Sequence, residues 1–236
     1  FAGTEPAAIF CSHDGAETWE PAAGVVDLRD EYGWYLPYSP AAGAVRGFAF
    51  HGTRGYAAVE QGGMLRSDDQ GELWALVEGS TGKPDAEVPE SAIHPDVHAV
   101  RVHPSSPDQV FAATGGGLYE TTDGGRRWML LYACYCRSIW VDPNDPGHLV
   151  LGPADGVDRN GRIERSINGG DTWRPIMSGL HDMWPRHMVE QFAQAGNELL
   201  AVLSNGELIG SKLGSWEWQP ILPAVQDVTG VVATAW

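Results

Sequence analysis

An eight-residue segment ending in tryptophan occurs five times along the chain and constrains the fold more than any other feature of the sequence. The copies are SHDGAETW from Ser12, SDDQGELW from Ser67, TTDGGRRW from Thr121, SINGGDTW from Ser166 and the degenerate SKLGSWEW from Ser211. They recur at intervals of about 45 to 55 residues. A repeat of this length, filled with short strands, is typical of the blades of a β-propeller.

Each copy, called a box below, lies among short apolar runs that predict strands. Two runs joined by a small polar or glycine turn precede it, as in VFAAT-GGG-LYET, and this pattern predicts a β-hairpin. One further run follows the box, and the next unit then opens with a strand such as VRGFAFH or CRSIWVDP. Each unit is therefore predicted to be a four-stranded antiparallel sheet.

The two chain ends complement each other in this scheme. The chain begins within a unit that lacks its opening strand, and it ends with VTGVVATAW, which has the pattern of an opening strand. We therefore predict an all-β, single-domain propeller of five four-stranded blades over residues 1–236. The C-terminal strand is expected to join the N-terminal blade and close the ring, which would remove exposed sheet edges. A fragment of a larger propeller is the alternative.

The boxes resemble the Asp-box, or BNR repeat, whose pattern is Ser/Thr-x-Asp-x-Gly-x-Thr-Trp. Sialidases, xyloglucan-processing glycosidases, sortilin-type receptors and photosystem assembly factors carry such boxes. The resemblance therefore implies a sialidase-like propeller fold, and it is compatible with both enzymes and binding proteins. It also implies that the boxes lie at the face opposite the usual ligand mouth.

Inside a box, the acidic residue can accept hydrogen bonds from backbone N–H groups of the turn. The residues at this position are Asp14, Asp69, Asp123, Asn168 and Leu213. The terminal tryptophans are expected to pack between blades, and they are Trp19, Trp74, Trp128, Trp173 and Trp218. Because the box recurs in every blade, and because a scaffold tolerates the loss of the acid at Leu213 better than a site would, we interpret the boxes as scaffold and not as a site.

The charge balance restricts the partners. Fifteen basic residues stand against 31 acidic ones, a formal net charge of −16. Such a charge repels nucleic acid and anionic membrane surfaces, and no apolar run approaches the length of a membrane helix. We expect a monomer that binds neither nucleic acid nor membrane. The sequence carries no signal-peptide pattern and does not indicate the compartment. The three cysteines are predicted to be free thiols.

Basic side chains recur near the start of the opening strands. Aligning the openers places Arg46, His98, Arg137, Arg186 and Thr229 at one equivalent position, with His187 adjacent. Arginine suits the bidentate binding of a carboxylate or phosphate, so Arg46, Arg137, Arg186 and His187 are predicted to bind an anionic ligand. In the alternative interpretation, each arginine pairs with a neighbouring acid and holds blades together.

Carboxylates fall in the hairpin turns of the same repeats. Glu5 and Glu60 occupy equivalent places in the first two blades, and Asp155 and Asp158 lie in a longer turn of the fourth. A carboxylate pair can act as general acid and base or as nucleophile. Glu5, Glu60 and His98 are therefore the predicted proton-transfer residues. The alternative is that the two glutamates only neutralise the arginines.

Aromatic residues mark two connections between units. Trp34, Tyr35 and Tyr38 lie in DEYGWYLPYSP, and Trp184 lies with His181 and Asp182 in GLHDMWPRH. Aromatic faces beside polar groups suit sugars and other amphipathic ligands. Trp34, Tyr35 and Trp184 are therefore predicted to contact ligand, and the alternative is that these connections only cover the end of the channel.

No cofactor or metal site is predicted. His51, His103 and Asp142 recur at one aligned position, but two of them precede proline, which favours turn formation. The leading hypothesis is a hydrolase-like propeller, glycosidase-like or ester-cleaving, that binds and processes an anionic or sugar-like small ligand. The alternative is a non-catalytic glycan- or peptide-binding propeller, or an assembly factor.

Overall fold

The computed structural model describes residues 1–180, 183–223 and 225–233. Its strands form five antiparallel sheets, and strands that follow each other along the chain are neighbours within a sheet. The first sheet contains β1 Ala2–Gly3, β2 Ile9–Cys11 and β3 Glu20–Pro21. The second contains β4 Ala44–His51, β5 Arg54–Glu60, β6 Gly63–Ser67 and β7 Ala75–Leu76.

The remaining three sheets repeat the four-stranded pattern. The third contains β8 Val97–Val102, β9 Val110–Thr114, β10 Gly117–Thr121 and β11 Met129–Tyr132. The fourth contains β12 Tyr135–Asp142, β13 Asp145–Ala154, β14 Glu164–Ser166 and β15 Arg174–Pro175. The fifth contains β16 Val189–Ala195, β17 Glu198–Leu203, β18 Leu208–Lys212 and β19 Gln219–Pro220. The predicted unit of successive short antiparallel strands is thus confirmed.

The chain divides into two compact units, Phe1–Leu131 and Tyr132–Trp236, called the N-terminal and C-terminal units below. Each has a core of buried aliphatic and aromatic side chains contributed by the first three strands of its sheets, by the tryptophans of the boxes and by the connecting segments. Tyr56 and Trp74 are fully buried in the N-terminal unit, as are Leu199 and Trp218 in the C-terminal unit. That residues 1–236 form one domain stays a prediction.

The boxes form the hydrogen-bonded turns that their residues predict. In the third box, Asp123 Oδ1 accepts the N–H groups of Arg126 and Arg127, each at 3.0 Å. In the fourth, Asn168 Oδ1 accepts the N–H of Thr172 at 3.0 Å. The amide oxygen of Asn168 therefore keeps the bond from the residue four places on, while the N–H of Asp171 bonds to the backbone oxygen of Asn168.

The tryptophans of the boxes differ in burial. Trp74, Trp128 and Trp218 are buried, and Trp173 is half-buried. Trp19 is 42% exposed, so the expectation that it packs between blades is wrong. The reason is local, since residues 13–21 are all exposed and little chain covers them.

The long connection between the first and second sheets contains a helix that was not predicted from the sequence. Helix α1 spans Val25–Tyr32 and ends at Gly33, which has a left-handed φ of 64° and closes the last turn. Val25 is completely buried against the core of the N-terminal unit. The connection is therefore partly a packed element.

The predicted role of the C-terminal strand is wrong for the described residues. The first sheet has three strands, and residues 225–233 contain no strand. The segment lies instead along the fifth sheet, where the Gln191 side chain donates to Val231 O and accepts from Val231 N–H, both at 2.9 Å. Gln191 thus satisfies the backbone groups that a strand partner would have satisfied. Residues 234–236 of the predicted strand lie outside the described residues.

Two smaller expectations are confirmed. The three cysteines are free, with Cys11 and Cys136 buried. Asp142 Oδ1 accepts the N–H of Asn144 at 2.9 Å and His103 Nδ1 accepts that of Ser105 at 3.2 Å, as turn-forming residues do. Within the described residues, no helix has the length and apolar character needed to cross a bilayer.

Candidate functional site

The first strand of each four-stranded sheet has an irregular register near its start. The interruptions lie between Val45 and Gly47, Val97 and Ala99, Cys136 and Ile139, and Val189 and Gln191. The residues within them include Arg46, His98, Arg137 and Glu190. A bulge re-aims the extra side chain, so these four residues occupy the special position that the opener alignment sought.

The alignment of the fifth repeat was wrong. Arg186 precedes β16 and is exposed, whereas Glu190 lies in the irregular part of the strand. The short matches VRG, VHA, CRS and VEQ give the correct register. Thr229 lies in the C-terminal segment, which contains no strand among its described residues.

Arg46 is the centre of a polar cluster in the N-terminal unit. Its Nε donates to Glu60 Oε2, its Nη2 donates to Tyr38 Oη at 2.5 Å, and the same Nη2 lies 3.5 Å from Glu5 Oε2. Tyr38 in turn donates to Glu60 Oε1 at 2.7 Å. The structure therefore brings Glu5, Arg46 and Glu60 together and places two carboxylates on one guanidinium.

Tyr38 stays a hydrogen-bond donor in this cluster. Burial raises the pKa of its phenol to about 12, and the hydrogen bond to Glu60 acts in the same direction. Glu60 is 7% exposed and Glu5 is exposed. The buried carboxylate is thus held by two donors, while the outer one faces solvent.

His98 has a carboxylate neighbour that the sequence analysis did not single out. Its Nε2 lies 3.3 Å from Asp96 Oδ2, and His98 is 8% exposed. Asp96 lies two residues before His98 in HPDVH, and alternate residues of an extended run share a face. This spacing is the signal that could have found it.

Arg137 pairs with an acid in the C-terminal unit. Its Nη1 donates to Glu190 Oε1 at 2.6 Å, and its Nε donates to Tyr135 Oη at 3.2 Å. Asp155 accepts from Asn160 Nδ2 at 2.9 Å and lies 3.4 Å from Arg162 Nη1. These contacts agree with the alternative in which arginines pair with neighbouring acids.

Trp34 and Tyr35, the two residues of the first connection that were predicted to contact ligand, have different environments. Trp34 is 3% exposed, belongs to the N-terminal core and donates from Nε1 to Gly82 O at 2.7 Å. Tyr35 is 42% exposed and donates to Asp85 Oδ1 at 2.7 Å. Trp34 is thus a core residue and Tyr35 a surface residue, so we do not propose that Trp34 contacts a ligand.

A cavity of about 780 Å³ lies in the C-terminal unit, between the fifth sheet and the segment that follows it. Its walls include Trp184, His187, the β17–β18 turn Asn205–Glu207 and Asp227. Leu203, Ile209 and Ile221 supply apolar surface. The volume and the mixture of apolar walls with a few polar groups are those of small-molecule sites.

His187 and Trp184 form one wall of the cavity as a stacked pair. Their ring centroids are 5.1 Å apart with an interplanar angle of 29°. Burial lowers the pKa of His187, opposed by the charges of Glu207 and Asp158. Within the described part of the chain, its Nε2 is buried and has no hydrogen-bond partner. The neighbouring His181 and Asp182 lie outside the described residues.

An isolated backbone bridge holds Trp184 in place, and a close backbone approach holds the β17–β18 turn. Trp184 exchanges both backbone hydrogen bonds with Gly161, at 2.8 and 3.0 Å. Gly206 has a φ of 82° and sits so close to Asp227 that a Cβ would lie 2.8 Å from its Cα. A glycine is needed here because it permits both the left-handed turn and the close approach.

No protein-family model matches the chain, and no curated protein matches it by sequence. Its fold is similar to solved propeller-type structures. One of these is the GH74 xyloglucanase from Xanthomonas campestris, with a TM-score of 0.64 and 20% sequence identity over 94% of this chain and 35% of that chain. Another is YCF48 bound to D1 peptide, with a TM-score of 0.59 and 17% sequence identity over 95% of this chain and 64% of that chain. An ancestral GH74 enzyme matches with TM-score 0.59 and 21% identity over 75% of this chain and 24% of its own. The chain thus spans less than two thirds of each of them, and the similarity supports a β-propeller fold.

Proposed function

We propose that the protein is a propeller-type binding protein whose C-terminal unit takes a neutral, sugar-like ligand in the cavity beside Trp184 and His187. The observation that carries the proposal is the wall composition of this cavity. Apolar side chains and a stacked aromatic pair lie next to Asn205, Glu207 and Asp227. A sugar ring presents both an apolar face and hydroxyl groups, so such a wall matches it.

The charge of the cavity favours a neutral ligand over the anion that the sequence suggested. Two carboxylates line it, and among the described residues that line it there is no arginine or lysine. Arg137, which was predicted to bind an anion, is already paired with Glu190. An anionic ligand would therefore be repelled by both carboxylates and would find no cationic partner among the described lining residues.

The test is calorimetric titration with a panel of neutral oligosaccharides, beginning with xyloglucan fragments because one structural neighbour is a xyloglucanase. Asn205→Ala and Glu207→Gln change exposed cavity residues, and we expect each to weaken binding about 3- to 10-fold by the loss of a hydrogen bond. Asn197→Ala and Glu198→Gln are the matched controls, since they lie at the other end of the same sheet. Equal affinity in all four variants, or no binding by any sugar, would reject the proposal.

Acid–base hydrolysis in the N-terminal unit is a second candidate function. It is supported by the convergence of Glu5 and Glu60 on Arg46, which places two carboxylates close together. Hydrolysis predicts turnover of a glycoside or ester substrate that Glu60→Gln reduces at least 100-fold. The same turnover in the wild-type protein, Glu5→Gln and Glu60→Gln would exclude these carboxylates.

Binding of a peptide is a third candidate function, and the same calorimetric titration can test it. YCF48, a structural neighbour, is described in complex with a peptide. The net charge of −16 favours a basic peptide. Binding of a lysine-rich peptide in the absence of sugar binding would favour this alternative over a glycan.

A further inference from the structure

Three metal-ligating side chains converge in the N-terminal unit. One ligand atom from each of Glu60, Asp96 and His98 lies within 4.8 Å of the other two. The three residues come from separate parts of the chain: Glu60 ends β5 of the second sheet, Asp96 directly precedes β8 of the third sheet, and His98 is the second residue of β8. The cluster is thus assembled by the fold and not by a single loop.

The structure leaves space for the Asp96 carboxylate at a defined place. A Cβ on Gly115 would lie 2.2 Å from Asp96 Oδ2, so any larger residue there would force the carboxylate to shift. Gly115 N–H donates to Asp96 O at 2.9 Å, and Asp96 N–H donates to His94 Nδ1 at 3.2 Å. Hydrogen bonds on both sides therefore hold the backbone of Asp96.

The other two residues are held equally well. Tyr38 and Arg46 donate to the two oxygens of Glu60, and His98 is fixed in the irregular part of β8. Glu60 and His98 are both more than nine-tenths buried. Side chains held in this way need little reorganisation to bind an ion.

We propose that Glu60, Asp96 and His98 form a binding site for one divalent transition-metal ion, with Zn²⁺ as the preferred ion. One imidazole nitrogen with two carboxylate oxygens is a donor set that suits zinc and similar ions, whereas Ca²⁺ and Mg²⁺ prefer oxygen alone. Metal–ligand distances of about 2.0 to 2.2 Å require the three groups to move together by roughly 1 Å. Two carboxylates in one place, of which Glu60 is buried and Asp96 is partly buried, also favour a cation.

This site is independent of the proposed sugar cavity, which lies in the other unit. It also differs from the three residues that were considered as metal ligands in the sequence and interpreted as turn formers, which are His51, His103 and Asp142. Those residues lie at the far end of the first strands, whereas Glu60 and His98 lie where β5 ends and β8 begins.

The test uses the full chain after treatment with EDTA. Calorimetry should show one Zn²⁺ per chain, Co²⁺ should give a visible d–d spectrum, and Zn²⁺ should raise the melting temperature. Asp96→Asn and His98→Gln should each weaken Zn²⁺ binding at least about tenfold. Asp85→Asn and His51→Gln, in the same unit, are the matched controls and should bind as the wild-type protein does.

Glu60→Gln serves as a further variant if His98→Gln fails to fold, because it keeps the shape of the side chain. Circular dichroism of each variant without metal checks the fold. The proposal is overturned if the wild-type protein binds no Zn²⁺, if Asp96→Asn and Glu60→Gln bind it equally well, or if Ca²⁺ binds more tightly than Zn²⁺.

Discussion

Arg137 Nη1 donates to Glu190 Oε1 at 2.6 Å, and both residues lie in the irregular part of the first strand of their sheets. The fourth and fifth sheets are therefore joined by a charge pair at equivalent positions. The guanidinium of Arg137 is therefore paired with a carboxylate of the protein itself and does not require an anionic ligand to balance its charge.

This pair predicts coupled effects on stability. The side chains are 29% and 27% exposed, so solvent screens the interaction in part. In a double-mutant cycle of Arg137→Gln and Glu190→Gln, we expect a coupling free energy of about 0.5 to 1 kcal/mol. Urea unfolding of the four proteins measures it. A coupling of zero, together with loss of ligand binding in Arg137→Gln, would support the anion-binding interpretation instead.

The boxes predict how stability depends on pH. The hydroxyl of Ser67 and the backbone N–H of Leu73 donate to Asp69 and lower the pKa of its carboxyl group in the folded protein. In acid, the unfolded chain therefore binds more protons than the folded protein does. The contribution of Asp69 to the free energy of unfolding is fully present above the pKa of this residue in the unfolded chain, and it is lost as pH falls through the pKa in the folded protein.

Asp69→Asn should accordingly lose less stability than the wild-type protein between pH 7 and pH 3. Asn168 shows that an amide oxygen can accept the same turn bonds. Melting temperatures across this pH range test the expectation. Identical pH profiles for the two proteins would mean that Asp69 does not contribute to acid unfolding.

Trp34 and Tyr35 are adjacent in sequence but should respond very differently to truncation. Trp34→Ala removes a buried ring and its bond to Gly82, and we expect a loss of about 3 to 5 kcal/mol. Tyr35→Ala alters a side chain at the surface and should change the free energy of unfolding by about 0.5 kcal/mol or less. Chemical denaturation measures both. Similar losses for the two variants would contradict the core assignment of Trp34.

Gln191 should hold the C-terminal segment on the fifth sheet. Gln191→Ala removes both bonds to Val231, so amide hydrogen exchange in residues 228–232 should become at least about tenfold faster. Gln194→Ala, in the same strand, is the control and should leave this exchange unchanged. Slow exchange in both variants would show that another contact holds the segment.

The repeat predicted the sheets well because hairpins and boxes are local. Their turns depend on residues close together in sequence, such as Asp123 and the amides of Arg126 and Arg127. The destination of the C-terminal segment was not predictable in this way. It depends on the Gln191 side chain, which lies about 40 residues away in sequence and bonds to the backbone groups of Val231 that a neighbouring strand would otherwise bind.

The site was predicted less completely than the fold. Glu5, Arg46 and Glu60 were named from their positions in the repeat, and they do lie together. Glu190 was missed because the fifth repeat was misaligned, and Asp96 was missed although its spacing of two residues from His98 could have identified it. The cavity was also missed, since Asn205, Glu207 and Asp227 are exposed polar residues whose convergence needs the three-dimensional fold.

The central claim is that the cavity in the C-terminal unit binds a neutral sugar, and chemical-shift mapping by NMR tests it most directly. On titration with a neutral oligosaccharide, the claim predicts saturable shifts for the amides of residues 203–209 and 225–228 and for the indole N–H of Trp184. Amides of the N-terminal unit should be unaffected. Shifts confined to residues around Arg46 and Glu60, or no saturable shift with any sugar of the panel, would contradict it.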